Sequence, residues 1–223
     1  MGRGSGYRPR RNVTNVDLAP FFLTLALLIP AELPDKTFIA TLVLATRYPP
    51  LWVWLGVSAA FAVQTTIAVA AGGLLALLPE TPVQLVTAAL FAVGAVVMFR
   101  GAGEVDPEAE RREEEQRVDT VNARAGRGQA QAFTVSFLVL FAAEWGDLSQ
   151  ITTATLTARF DAPMSVWLGA FLALSLVAGA AALGGRWLVA RVSFTWVRRV
   201  SGTLLALLAA GTLAEAFGLW SGI

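Results

Sequence analysis

The sequence predicts an all-α integral membrane protein: six transmembrane helices arranged as two inverted three-helix repeats, with the first and fourth helices kinked or broken at their centres. Three observations carry this expectation. Of 223 residues, 56% are hydrophobic and 15% charged, against about 45–50% and about 25% in soluble chains. The apolar residues form six long blocks, with most of the charge confined to residues 1–17 and 100–127. The two halves also repeat one another, and each copy places two acids inside an apolar block.

Taken in order, residues 1–16 are Gly- and Arg-rich without an apolar stripe, and read as a flexible basic arm. A signal peptide fits the charged start. The apolar stretch that follows, however, runs on into a motif and shows no small-residue cleavage site. The apolar blocks span residues 18–46, 51–78, 83–99, 132–158, 166–189 and 197–220. A helix needs about 20 residues to cross a hydrocarbon core of about 30 Å, and most blocks reach that length. Their Ala, Gly, Ser and Thr content suits close helix packing in lipid. Pro49, Pro50, Pro79, Pro82 and Pro163 punctuate the joints, and Trp52, Trp54, Trp167, Trp187, Trp196 and Trp220 lie near block ends, as interfacial belts require. Continuous rather than alternating apolar runs argue against a β-barrel. Residues 101–130 are polar throughout and read as a charged linker between a first repeat, 17–100, and a second, 131–223.

The repeat is specific. Glu32-Leu-Pro-Asp35-Lys-Thr37 aligns with Glu144-Trp-Gly-Asp147-Leu-Ser149, and the match continues through Thr41 with Thr153 and Arg47 with Arg159. Val53-Trp-Leu-Gly56 then recurs as Val166-Trp-Leu-Gly169. Three spans per half is odd, so the second half must enter the membrane from the opposite side. This is the inverted-repeat plan of secondary transporters, whose site lies near the midplane where the repeats meet. Arginines on the side of the central loop outnumber those on the side of the termini, which favours a cytoplasmic central loop.

The absences restrict the chemistry. There is no His and no Cys, which excludes imidazole bases, disulfides, thiol catalysis and Cys-type zinc sites. Any metal must be held by oxygen, which points to hard or borderline cations such as Ca²⁺, Mg²⁺ or Mn²⁺. The net charge of +1 carries no nucleic-acid patch.

Glu32, Asp35, Glu144 and Asp147 lie inside apolar blocks. A charge at the bilayer centre costs at least about 2.5–3.5 kcal/mol on insertion scales, so such acids are functional candidates by default. Residues three apart share a helix face, so each pair points one way. Four carboxylates meeting at a pseudo-two-fold axis repel strongly and must hold either a cation or protons. Thr37, Thr41, Ser149, Gln150 and Thr153 add neutral oxygens as supporting or possible ligands, and Lys36 reads as a charge-balancing counter-ion. Pro30 and Pro34 disturb the first motif helix and Gly146 permits a break in the second, freeing carbonyls near the acids. Metal and protons competing for the same oxygens is the minimal chemistry of an antiporter. A six-span amino-acid exporter using Lys36 is an alternative, and Gly146-Asp147 also fits an intramembrane aspartyl protease with two proton-sharing acids.

The doubled acidic motif, in the stretches ELPDKTFIATLVLATRY and EWGDLSQITTATLTARF, resembles the GDT-one family (uncharacterised protein family 0016) over residues 17–220. That resemblance implies export of Mn²⁺ and/or Ca²⁺ as transported substrate, with no tightly bound cofactor, in exchange for protons across a bacterial plasma membrane. It also implies Glu32, Asp35, Glu144 and Asp147 as cation ligands. Pro34 stands where the family has Gly, and Leu148 where it has Lys or Arg.

Overall fold

The computed structural model describes residues 16–32, 36–101, 112, 115–116, 118, 128–189 and 194–219. All regular structure among them is helical: α1 (Leu18–Glu32), α2 (Lys36–Arg47), α3 (Pro50–Leu75), α4 (Glu80–Gly101), α5 (Gln129–Ala143), α6 (Leu148–Phe160), α7 (Pro163–Val189) and α8 (Phe194–Ala216). Three helical stretches are long and apolar enough to cross a membrane: Pro50–Leu75, Thr81–Arg100 and Pro163–Gly184. Two bent pairs add a span each when each pair is taken as one. The α1–α2 pair turns by 67° and the α5–α6 pair by 72°, so both motif helices are broken at the acids. The sixth block forms α8, whose apolar run is flanked by Arg198, Arg199 and Glu215.

Local chemistry sets the ends. α3 opens on Pro50, whose fixed φ is pre-organised for the first helical turn and whose missing N–H is no loss there. α8 closes in a Schellman motif. Gly218 takes φ 66°, its N–H reaches the Glu215 carbonyl at 3.0 Å, and the Leu219 N–H reaches that of Ala214 at 2.9 Å.

The halves interlock. α1 packs on α7 of the other half, and α5 packs on α3. At equivalent positions in the repeat, a Cβ added to Gly56 would stand 2.3 Å from the Phe133 carbonyl oxygen, and one added to Gly169 would stand 2.7 Å from that of Phe21. Glycine is therefore what lets each long helix touch the backbone of the other half's broken helix. α3 and α7 also pack together and run antiparallel. The Trp54 indole donates to the Ser175 carbonyl at 2.8 Å, while Trp167 donates to the Thr66 hydroxyl at 3.0 Å, which itself donates to the Ala62 carbonyl. These two tryptophans, expected as interfacial anchors, also tie the two halves to each other. α4 and α8, the last helices of each half, pack side by side outside this centre.

Candidate metal-transport site

The second break shows how the chain places its acids. α5 ends at Ala143, and Glu144 follows with its N–H bonded to the Leu140 carbonyl. Gly146 then takes φ +76°, a left-handed conformation glycine adopts without steric cost. Asp147 is extended and begins α6, its carbonyl accepting from the Ile151 N–H at 3.1 Å. The Gln150 side chain spans this gap: its Nε2 donates to the Glu144 carbonyl at 3.0 Å, and its Oε1 accepts from the Gly146 N–H at 3.2 Å. On the α3 side, Gln64 Nε2 donates to the Phe141 carbonyl at 3.0 Å, satisfying one of the carbonyls that a helix end leaves open.

The two breaks bring acids from both halves together. Single carboxylate oxygens of Glu32, Glu144 and Asp147 all lie within 4.8 Å of one another. Glu32 and Glu144 are fully buried and Asp147 half-buried. Both oxygens of Glu144 are shielded from solvent. Burying carboxylates is costly, and these stand in an unusual place. Glu32 and Glu144 sit at the C-terminal ends of α1 and α5, where the helix dipole is negative and repels an anion. Carboxylates and carbonyl ends together make a strongly negative spot inside an apolar bundle, a spot complementary to a cation.

The remaining sequence candidates divide. Thr37 and Thr41 are buried in α2, and the Thr41 hydroxyl finds no partner among the described residues. Ser149 is buried in the first turn of α6, and Thr153 donates back to the Ser149 carbonyl at 2.7 Å. Asp35 and the side chain of Lys36 lie outside the described residues. Leu148, the position lacking the family's positive charge, packs with the cluster of Leu27, Phe91 and Leu205. One pair escaped the sequence reading: Arg159, at the end of α6, binds Glu215 near the end of α8 at 3.0 Å and also donates to the Thr212 hydroxyl. Its only sequence signal was an acid and an arginine near the ends of two apolar blocks.

A helical membrane protein with broken helices and buried acids converging at the breaks belongs to the class of cation transporters. The chain is a member of the GDT1 family: the family profile "Divalent cation/proton antiporter GDT1" matches residues 20–106 and 132–220, one stretch in each half. Among its relatives is GDT1-like protein sll0615 of a Synechocystis strain, 33% identical over 201 residues that cover 86% of this chain and 95% of that protein. GDT1-like protein 5 of Oryza sativa subsp. japonica is 31% identical, covering 85% and 92%. GDT1-like protein 4 of Oryza sativa subsp. indica is 28% identical, covering 82% and 69%. No solved structure matches. The family is one of membrane transporters rather than enzymes, and its transported substrates are divalent cations and protons. The protease and amino-acid exporter readings are thereby set aside.

Proposed function

We propose that this protein is a secondary active transporter that exports Mn²⁺ or Ca²⁺ from the cytoplasm in exchange for protons. It sits in a bacterial plasma membrane with six crossings, as two inverted repeats of residues 17–100 and 131–223, with the linker of residues 101–130 on the cytoplasmic side. The antiparallel pairing of α3 and α7 and the matched glycine contacts support the inversion. The observation that carries the function is the convergence of Glu32, Glu144 and Asp147 within 4.8 Å at two helix breaks.

In this reading the three acids, completed by Asp35, ligate the ion. Thr37, Thr41 and Ser149 supply neutral oxygens, and Lys36 offsets part of the negative charge. Only deprotonated carboxylates ligate a metal, so metal entry releases whatever protons the site holds. Protons arriving from the opposite side displace the metal in turn. Oxygen ligands in a flexible shell accept both Mn²⁺ and Ca²⁺.

The test is metal-driven proton flux in proteoliposomes. Glu32→Gln and Asp147→Asn are expected to abolish it, and a panel of metals run across pH ranks the substrates. Wild-type flux in both variants would refute the site.

A further inference from the structure

We infer that Gln150 is a positioning residue that braces the second helix break, and not a ligand of the transported ion. The inference rests on the proposed carboxylate site and deepens it. A glutamine three residues after a ligand acid invites a role as an oxygen donor. The geometry engages it otherwise, because both ends of its amide are held by backbone. Nε2 bonds the Glu144 carbonyl at 3.0 Å and Oε1 bonds the Gly146 N–H at 3.2 Å.

These two bonds flank the one residue in the break with a positive φ, Gly146 at +76°. An unbraced glycine at such a position has two freely varying dihedrals, and rotation there swings Glu144 relative to Asp147. The Asp147 N–H already closes this turn on the Glu144 carbonyl at 3.3 Å; the amide adds a second closure from α6 back to the end of α5 and restricts that freedom further. It shares the Glu144 carbonyl with the Asp147 N–H.

The first break is built differently. The residue equivalent to Gln150 is Phe38, a fully buried aromatic with no amide to lend, and Pro34 stands in place of the glycine. The second break thus holds its acids by a side-chain brace that the first half lacks at this position.

Full-length protein in detergent, titrated with MnCl₂ by calorimetry, tests this. Groups that orient metal ligands without touching the metal typically change affinity by about 10–100-fold. Gln150→Leu removes both bonds. Gln150→Glu is nearly isosteric, loses the donor to the Glu144 carbonyl, and would add a ligand oxygen if this side chain faced the ion. Both variants are expected to raise the Mn²⁺ Kd by roughly 10–100-fold without lowering the unfolding temperature of the metal-free protein in proportion. Gln150→Glu carries the test alone if Gln150→Leu fails to fold. Binding by Gln150→Glu as tight as wild type, or tighter, would overturn the inference, as would an unchanged Kd accompanied by a lower unfolding temperature. A Glu144→Gln arm separates the two readings. Normal binding there overturns the carboxylate site and the brace with it. Lost binding there, with normal binding in both Gln150 variants, overturns the brace alone.

Discussion

Replacing Glu144 by glutamine has opposite expected effects with and without metal. The amide keeps the shape of the carboxylate and removes its charge. Glu144 shares a 4.8 Å neighbourhood with Glu32 and Asp147. At an effective dielectric of about 20, two unit charges at that distance repel by about 3.5 kcal/mol. In metal-free protein the variant relieves repulsion of that order for each ionised neighbour, and its new N–H₂ can donate to a neighbouring carboxylate. Its unfolding temperature is expected to equal or exceed that of the wild type. With Mn²⁺ at 100 times Kd, mass action stabilises the wild type by about 2.7 kcal/mol. For a chain of this size 1 kcal/mol corresponds to about 2–4 °C, giving an upward shift of about 5–11 °C. The variant loses that shift. Thermal unfolding in detergent, with and without MnCl₂, reads both effects. A variant less stable than wild type without metal, yet stabilised equally by metal, would refute the repulsive cluster.

Two further predictions concern the scaffold. Gly56→Ala places a Cβ 2.3 Å from the Phe133 carbonyl oxygen, a backbone atom that cannot swing aside, so a loss of about 1–3 kcal/mol is expected by thermal unfolding. Gly73→Ala meets nothing within 4 Å and is expected to be neutral or stabilising by up to about 1 kcal/mol; equal outcomes for the two variants would remove the close helix contact. Arg159→Ala, Glu215→Ala and the double variant are expected to show a coupling of about 1–2 kcal/mol in unfolding free energy, since the pair is hydrogen-bonded and mostly shielded from solvent. Strict additivity would show that the pair contributes nothing.

The sequence reveals those parts of the molecule that depend on composition and local spacing. Long apolar blocks identify helices that suit lipid, and Glu144-Trp-Gly-Asp147 marks a break because only glycine enters the left-handed region cheaply. That Glu32, Glu144 and Asp147 stand together was legible because a charge inside an apolar block is too costly to be incidental. Contacts between distant segments were not legible. Arg159 and Glu215 are 56 residues apart, and each alone looks like an anchor at a membrane face. Trp54 and Trp167 look like belt residues by position, and their bonds to the opposite long helix depend on a crossing that no local pattern encodes. At Leu148 the resemblance leads one to expect a positive charge. The side chain instead packs in an apolar cluster with Leu205, where an ammonium group would be poorly solvated.

The crossed packing of α1 on α7 and α5 on α3 has a bearing on assembly. α1 and α5 each lie chiefly against the other half, so a half-length chain on its own would expose those surfaces. Co-expressing the two fragments from separate promoters should rebuild the molecule without the covalent connection.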